Sequence, residues 1–187
     1  DLERRLGVRP VPGGSHPGWG TRNALVSLGA GRYLEVLAPD PEQPEPEGGR
    51  PFGLGAGDPP RLLTWAVRRR DPTAYVLRAR EWSVPFGPVR DGRRVRPDGT
   101  VLSWRLALPH PPPEGGVIPF PIEWTGRAHP CEDLPEACVL ERFQGLHPDP
   151  GRIAEVLVAL GVSLHVEPAS GAGLRARIRG PAGTLEL

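Results

Sequence analysis

Arg5-Leu6-Gly7-Val8, followed by Gly20-Thr21-Arg22-Asn23-Ala24-Leu25-Val26, sets a pattern that the chain uses three times. The second copy reads Glu81-Trp82-Ser83-Val84 and then Gly99-Thr100-Val101-Leu102-Ser103-Trp104. The third reads Ala159-Leu160-Gly161-Val162 and then Gly173-Leu174-Arg175-Ala176-Arg177-Ile178. Each copy is a helix end, a turn, a short strand and a glycine-led strand pair. A repeated supersecondary unit constrains the fold more than any single residue, because each copy must bury its apolar face against another. Paired sheet modules enclose a cleft, and that is where a site is expected.

Leu2 and Leu6 lie on one helical face that Gly7 ends in a left-handed cap. Residues 10–20 read as a Pro/Gly-rich loop, and strands are predicted over 21–28 and 32–37 about the turn Gly29-Ala30-Gly31. Residues 39–60 read as a linker or lid, acidic and proline-stiffened first, then glycine-rich around Phe52-Gly53-Leu54. A strand over 62–68 leads to Asp71-Pro72, a cap followed by proline at the first helical position, with the helix running to about Trp82. Strands over 101–108 and 117–124 follow, joined through the loop 109–113. A second linker precedes a strand over 137–146. Asp149-Pro150 then repeats the helix start, and Ile153, Val156, Leu157 and Leu160 keep helical spacing. Strands over 163–167, 173–179 and 184–187 close the chain. Each full unit reads β-α-β-β-β, giving an α+β fold with modules at 1–60, 61–126 and 127–187. The opening strand of the first module is expected before residue 1, because the chain opens inside a helix.

The 187 residues suffice for a real core, and the formal charge of +1 gives no electrostatic case for nucleic acid or an anionic membrane. Every basic side chain is arginine, which removes lysine-nucleophile and Schiff-base chemistry. The longest basic run, Arg68-Arg69-Arg70, reads as a solvated strand end rather than a phosphate site. Cys131 and Cys138 make no disulfide framework, and no apolar run approaches the length of a bilayer span. A cytoplasmic protein without membrane contact is expected.

The run His16-Pro17-Gly18-Trp19-Gly20-Thr21-Arg22-Asn23-Ala24-Leu25, with Tyr33-Leu34-Glu35 after it, resembles a glyoxalase-like domain. That family lies in the vicinal oxygen chelate superfamily, with bleomycin-resistance proteins and extradiol dioxygenases. Arg96-Pro97-Asp98-Gly99-Thr100-Val101-Leu102-Ser103-Trp104-Arg105 and Pro119-Phe120-Pro121-Ile122-Glu123-Trp124 extend the resemblance through residue 126, and the third unit follows by pattern. The resemblance implies two βαβββ modules curled around a cleft, with metal-dependent members placing ligands on the first and last strand of each module. Glu35 falls where a last-strand ligand would lie. Matching Gly31 with Gly116 puts Phe120 opposite it, with Glu123 out of phase. A catalytic divalent metal wants about three protein groups, and the sequence offers Glu35 as the one good candidate.

Other candidates follow from the strand faces. A carboxylate facing an apolar cleft suits general-base work, so Glu35 is the leading catalytic choice, with a structural ion pair as the alternative. His16 is a second acid/base candidate, or a residue that orders its loop. Asn23 can hydrogen-bond a ligand carbonyl or be a satisfied buried amide. Ser103 and Arg105 share a strand face and point into the cleft if the Leu102-Trp104-Leu106 face packs on helices. Trp65, Phe120 and Trp124 either line an apolar pocket or serve as ordinary core. The expected function is binding of a small organic molecule between modules one and two, with lyase or isomerase chemistry beside a carbonyl. The alternative is a non-catalytic protein that sequesters a small molecule or antibiotic. The third unit either packs beside the first two or builds a homodimer interface.

Overall fold

The computed structural model describes residues 1–96, 98–109, 111–126 and 128–187. Pro97 of the second glycine-led motif, His110 of the expected loop and Arg127 at the expected start of the third module lie outside the described residues.

The first unit holds α1 (Leu2–Leu6) and a meander of β1 (Val11–His16), β2 (Thr21–Ser27) and β3 (Tyr33–Pro39). Gly7, at φ 72, ends α1 by donating its N–H to the Glu3 carbonyl. The strands pair antiparallel in the order β1-β2-β3. β1 corrects the expectation of a loop over 10–20. Pro12, Gly13 and Gly14 remove the usual strand signal, and they are tolerated because the strand bulges between Pro12 and Gly14.

The second unit is a complete module: β4 (Ala66–Arg68), α2 (Pro72–Glu81), β5 (Arg90–Val95), β6 (Val101–Leu106) and β7 (Phe120–Trp124). Its sheet order is β4-β7-β6-β5, with β4 parallel to β7. The strand expected over 62–68 contracts to three residues. β5, Arg90-Asp91-Gly92-Arg93-Arg94-Val95, was not expected, because four charged residues and a glycine carry no strand pattern of their own. The expected helix start is present: Asp71 Oδ1 accepts the Ala74 N–H at 3.0 Å, a cap worth about 1 kcal/mol.

The third unit holds β8 (Val139–His147), α3 (Pro150–Ala159), β9 (His165–Pro168), β10 (Gly173–Gly180) and β11 (Gly183–Glu186). The β-α-β-β-β element order repeats, and the sheet order differs. Here β8 lies between β9, its parallel partner across α3, and β10, giving β11-β10-β8-β9.

Three apolar clusters join the units. Tyr75, Val76 and Ala79 of α2 pack with Ile153, Val156 and Leu157 of α3, so the helices of units two and three share one core. Leu6 of α1 packs with Val26 of β2, Ile178 of β10 and Leu185 of β11, tying unit one to unit three. The third cluster, Leu102, Trp104, Leu106 and Ile122 with Trp19, Phe120 and Trp124 against it, covers one face of the second sheet and looks toward the first. Among the described residues no helix is long and apolar enough to cross a membrane.

Candidate functional site

Strand register decides which side chains meet. In the first sheet Thr21 lies opposite His16, Leu25 opposite Glu35, Asn23 opposite Leu37 and Ser27 opposite Tyr33. Partners across a ladder share a face, and so do alternate residues along a strand. His16, Asn23, Tyr33 and Glu35 therefore project from one wall. In the second sheet Arg94 lies opposite Leu102, Trp104 opposite Trp124, and Arg68 beside Ile122. Arg94, Trp104, Trp124, Phe120 and Arg68 form the facing wall. Between the walls opens a cleft of about 1820 Å³, which continues toward the third sheet.

The walls are joined by one short polar chain. Arg94 Nη1 donates to Asn23 Oδ1 at 2.9 Å, and Asn23 Nδ2 donates to Glu35 Oε1 at 2.6 Å. Asn23 thus bridges a cation on one sheet and a carboxylate on the other. Arg94 is only 4% exposed, and among the described residues its Nε has no hydrogen-bond partner and no carboxylate lies within ion-pair distance. β1 runs beside β5 where the sheets meet. A Cβ on Gly13 would fall 2.0 Å from Asn23 Oδ1 and 2.1 Å from Arg94 Nη1, so the bulged glycine makes the crossing possible.

Glu35 is accessible from within the cleft yet walled by protein. Loss of bulk water raises its pKa, and the Asn23 hydrogen bond and the Arg94 charge oppose that rise. Two residues along, burial and the neighbouring Glu35 charge push the Tyr33 hydroxyl pKa up, so it stays a neutral donor. The Tyr33 ring meets His129 edge-on at 6.2 Å, and His129 meets Trp124 at 5.5 Å. Burial first, and then Arg68, hold the His129 pKa below its ordinary value. The Trp104 ring is wedged against Gly92, where a Cβ would fall 2.3 Å from Nε1, and it meets Trp124 at 5.6 Å.

His16 closes the other end. Its Nδ1 lies 2.9 Å from Thr21 Oγ1, and its ring meets Trp104 edge-on at 6.3 Å. Burial, then the Arg94 charge, lowers its pKa to about 4, with Asp40 opposing. At neutral pH such an imidazole is uncharged, with one ring nitrogen protonated and the other free, and it stands at the end of the cleft beside Thr21 and Trp104. Above it, the segment after β3 is pinned by Arg50 Nε, which donates to the Gly20 carbonyl at 3.0 Å. That segment lays Phe52, itself at φ 60, beside Phe120 with ring centres 5.6 Å apart.

Three expected placements change. Ser103 and Arg105 lie on the outer face of their sheet, because the Leu102-Trp104-Leu106 face turns to the cleft instead of packing on helices. Arg105 pairs there with Glu123 at 3.2 Å. Trp65 donates its indole N–H to the Val117 carbonyl at 2.9 Å and packs edge-on against Phe143 at 5.2 Å, so it serves the junction with the third unit. Glu35, Asn23, His16, Phe120 and Trp124 do come together around the cleft. Arg94, Tyr33 and His129 join them without having been expected there. The donor set does not suit a divalent metal: among the described residues no three His, Cys, Asp or Glu side chains converge. The immediate partner of Glu35 is an amide, and the cation beyond it would repel a second one.

Residues 1–161 match a family model described as a glyoxalase-like domain. No curated protein matches the chain. Among solved structures it is similar to a hypothetical protein from Staphylococcus aureus, with a TM-score of 0.65 and 14% identity over 92% of this chain and 83% of that one. At that identity the likeness is one of fold.

Proposed function

We propose, from the premise that this chain belongs to the glyoxalase-like domain family of the vicinal oxygen chelate superfamily, that its cleft binds a small carbonyl compound and moves a proton beside the carbonyl. The observation that carries this reading is the Arg94–Asn23–Glu35 chain across a cleft whose facing wall is largely aromatic and apolar. Glu35, with its raised pKa, is the base. It takes the proton from the carbon next to the carbonyl, and the electron pair of that C–H bond moves onto the carbonyl oxygen as an enolate. Arg94 supplies the positive charge that favours the enolate in a site short of water. Asn23 orients both groups. Where the α-carbon carries a hydroxyl, passage of the hydroxyl proton to the enolate oxygen and return of the abstracted proton to the former carbonyl carbon leaves the carbonyl on the α-carbon, an isomerisation. Where the next carbon carries a leaving group, the enolate pair re-forms the carbonyl and expels it, a lyase reaction.

The test is exchange of α-protons for deuterium across a panel of aryl and alkyl ketones, followed by NMR. The wild type should exchange at least one of them, and Glu35→Gln should lose about a hundredfold or more of that rate. Equal exchange by both proteins would remove Glu35 as the base. Stoichiometric binding without exchange by either would favour the second reading, a sequestering protein, which the aromatic lining of Trp104, Trp124 and Phe120 also suits.

A further inference from the structure

The basic run Arg68-Arg69-Arg70 is divided in the fold. Arg69 is consumed by structure: its Nη2 donates to the carbonyls of Leu160 and Gly161 at 3.2 and 2.8 Å, capping α3, and its guanidinium lies 5.6 Å from the Tyr75 ring centre. Arg68 and Arg70 project elsewhere. Arg68 shares the cleft face with Ile122, and with Trp124 it lines both the main cleft and an adjoining hollow of about 330 Å³. Arg69, Arg70 and Glu123 complete that hollow. Glu123 is its one carboxylate among the described residues, and it is engaged by Arg105. Among the described residues Arg68 and Arg70 make no ion pair. Arg68, on the cleft wall, and Arg70, in the adjoining hollow, are therefore two cations without a carboxylate partner beside the aromatic wall of the cleft.

Resting on the carbonyl-compound reading above, we propose that the ligand is elongated and carries an oxyanion, carboxylate or phosphate, at the end remote from its carbonyl, held by Arg68 with Arg70 beside it. Arg94 and Arg68 lie on opposite edge strands of one sheet, three strand spacings apart across it and, because Arg94 is level with Leu102 and Arg68 with Leu106, four residues apart along it, so that their backbones are about 20 Å apart. After allowing for side-chain reach, this fits a ligand on the order of 15 Å long. The wall between them is Trp104, Trp124 and His129, which suits an apolar or aromatic middle. A guanidinium pairs with either oxyanion in a bidentate fork.

Binding of phenylhexanoate, phenylhexyl phosphate and the uncharged phenylhexanamide, measured by calorimetry on the whole chain, tests the proposal. At least one anionic probe should bind about tenfold or more tightly than the amide, as expected for a charge-assisted contact. Arg68→Gln should remove that preference while leaving amide binding in place, and Arg70→Gln should reduce it. Preference for the phosphate or for the carboxylate identifies the oxyanion. Equal binding of amide and anions, an unchanged preference in Arg68→Gln, or no binding of either anion would overturn it. The base is read by proton exchange and the anion contact by the binding preference of Arg68→Gln, so failure of one and failure of the other are distinguishable.

Discussion

At the residue scale, burial sets the chemistry of the cleft more than pairing does. His16 shows the consequence for stability. Its folded pKa, about 4, is depressed from 6.5 by burial, so the unfolded chain takes up the proton first as pH falls. The stabilisation from His16 is fully present above pH 6.5 and is lost as pH falls through about 4. It amounts to on the order of 3 kcal/mol. Urea unfolding of wild type and His16→Gln at pH 7 and pH 4 should show a steeper acid loss in the wild type. Parallel losses would refute the assignment. Glu35 was legible from sequence because it is the lone ionisable group in the middle of an apolar strand. Arg94 was not, because a charged residue among charged neighbours announces nothing until its strand is recognised. The available signal was positional: each module requires a strand between its helix and the glycine-led strand, and only 90–95 can supply it.

At the scale of elements, both overlooked strands, β1 and β5, belong to the same junction. They are the edges along which the two sheets meet, and Gly13 and Gly92 leave room for neighbouring side chains rather than making turns. Gly13 admits the Asn23–Arg94 contact, and Gly92 admits the Trp104 ring. Gly13→Ala should therefore cost about 1–3 kcal/mol of stability through forced displacement. It should also weaken any ketone exchange shown by the wild type, as read by thermal melts and deuterium incorporation. Unchanged stability and exchange would mean that the bulge can relax without disturbing the polar chain. The outward turn of Arg105 had an equally local cause. Strand alternation correctly grouped Ser103 with Arg105 and Leu102 with Trp104, but alternation alone does not say which face meets the cleft.

At the scale of the molecule, the repeat was readable because helix caps and glycine-led strands are local signals. The different sheet order of the third unit was not, since it depends on which strand β8 chooses as its neighbour. That unit is bound to the second through the α2–α3 core, where Ile153 is fully buried. Ile153→Ala should cost about 2–5 kcal/mol and lower a single unfolding transition. Two separated transitions would show that the units are energetically independent. The central claim is that Glu35 on one sheet titrates under the influence of burial and of Arg94 on the other. NMR titration of the Glu35 carboxyl carbon in wild type and Arg94→Met measures this directly, without a substrate. The account predicts a midpoint above the ordinary carboxylate value of 4.5 in the wild type, rising further when the Arg94 charge is removed. A midpoint at the ordinary value that does not move in the variant would contradict it.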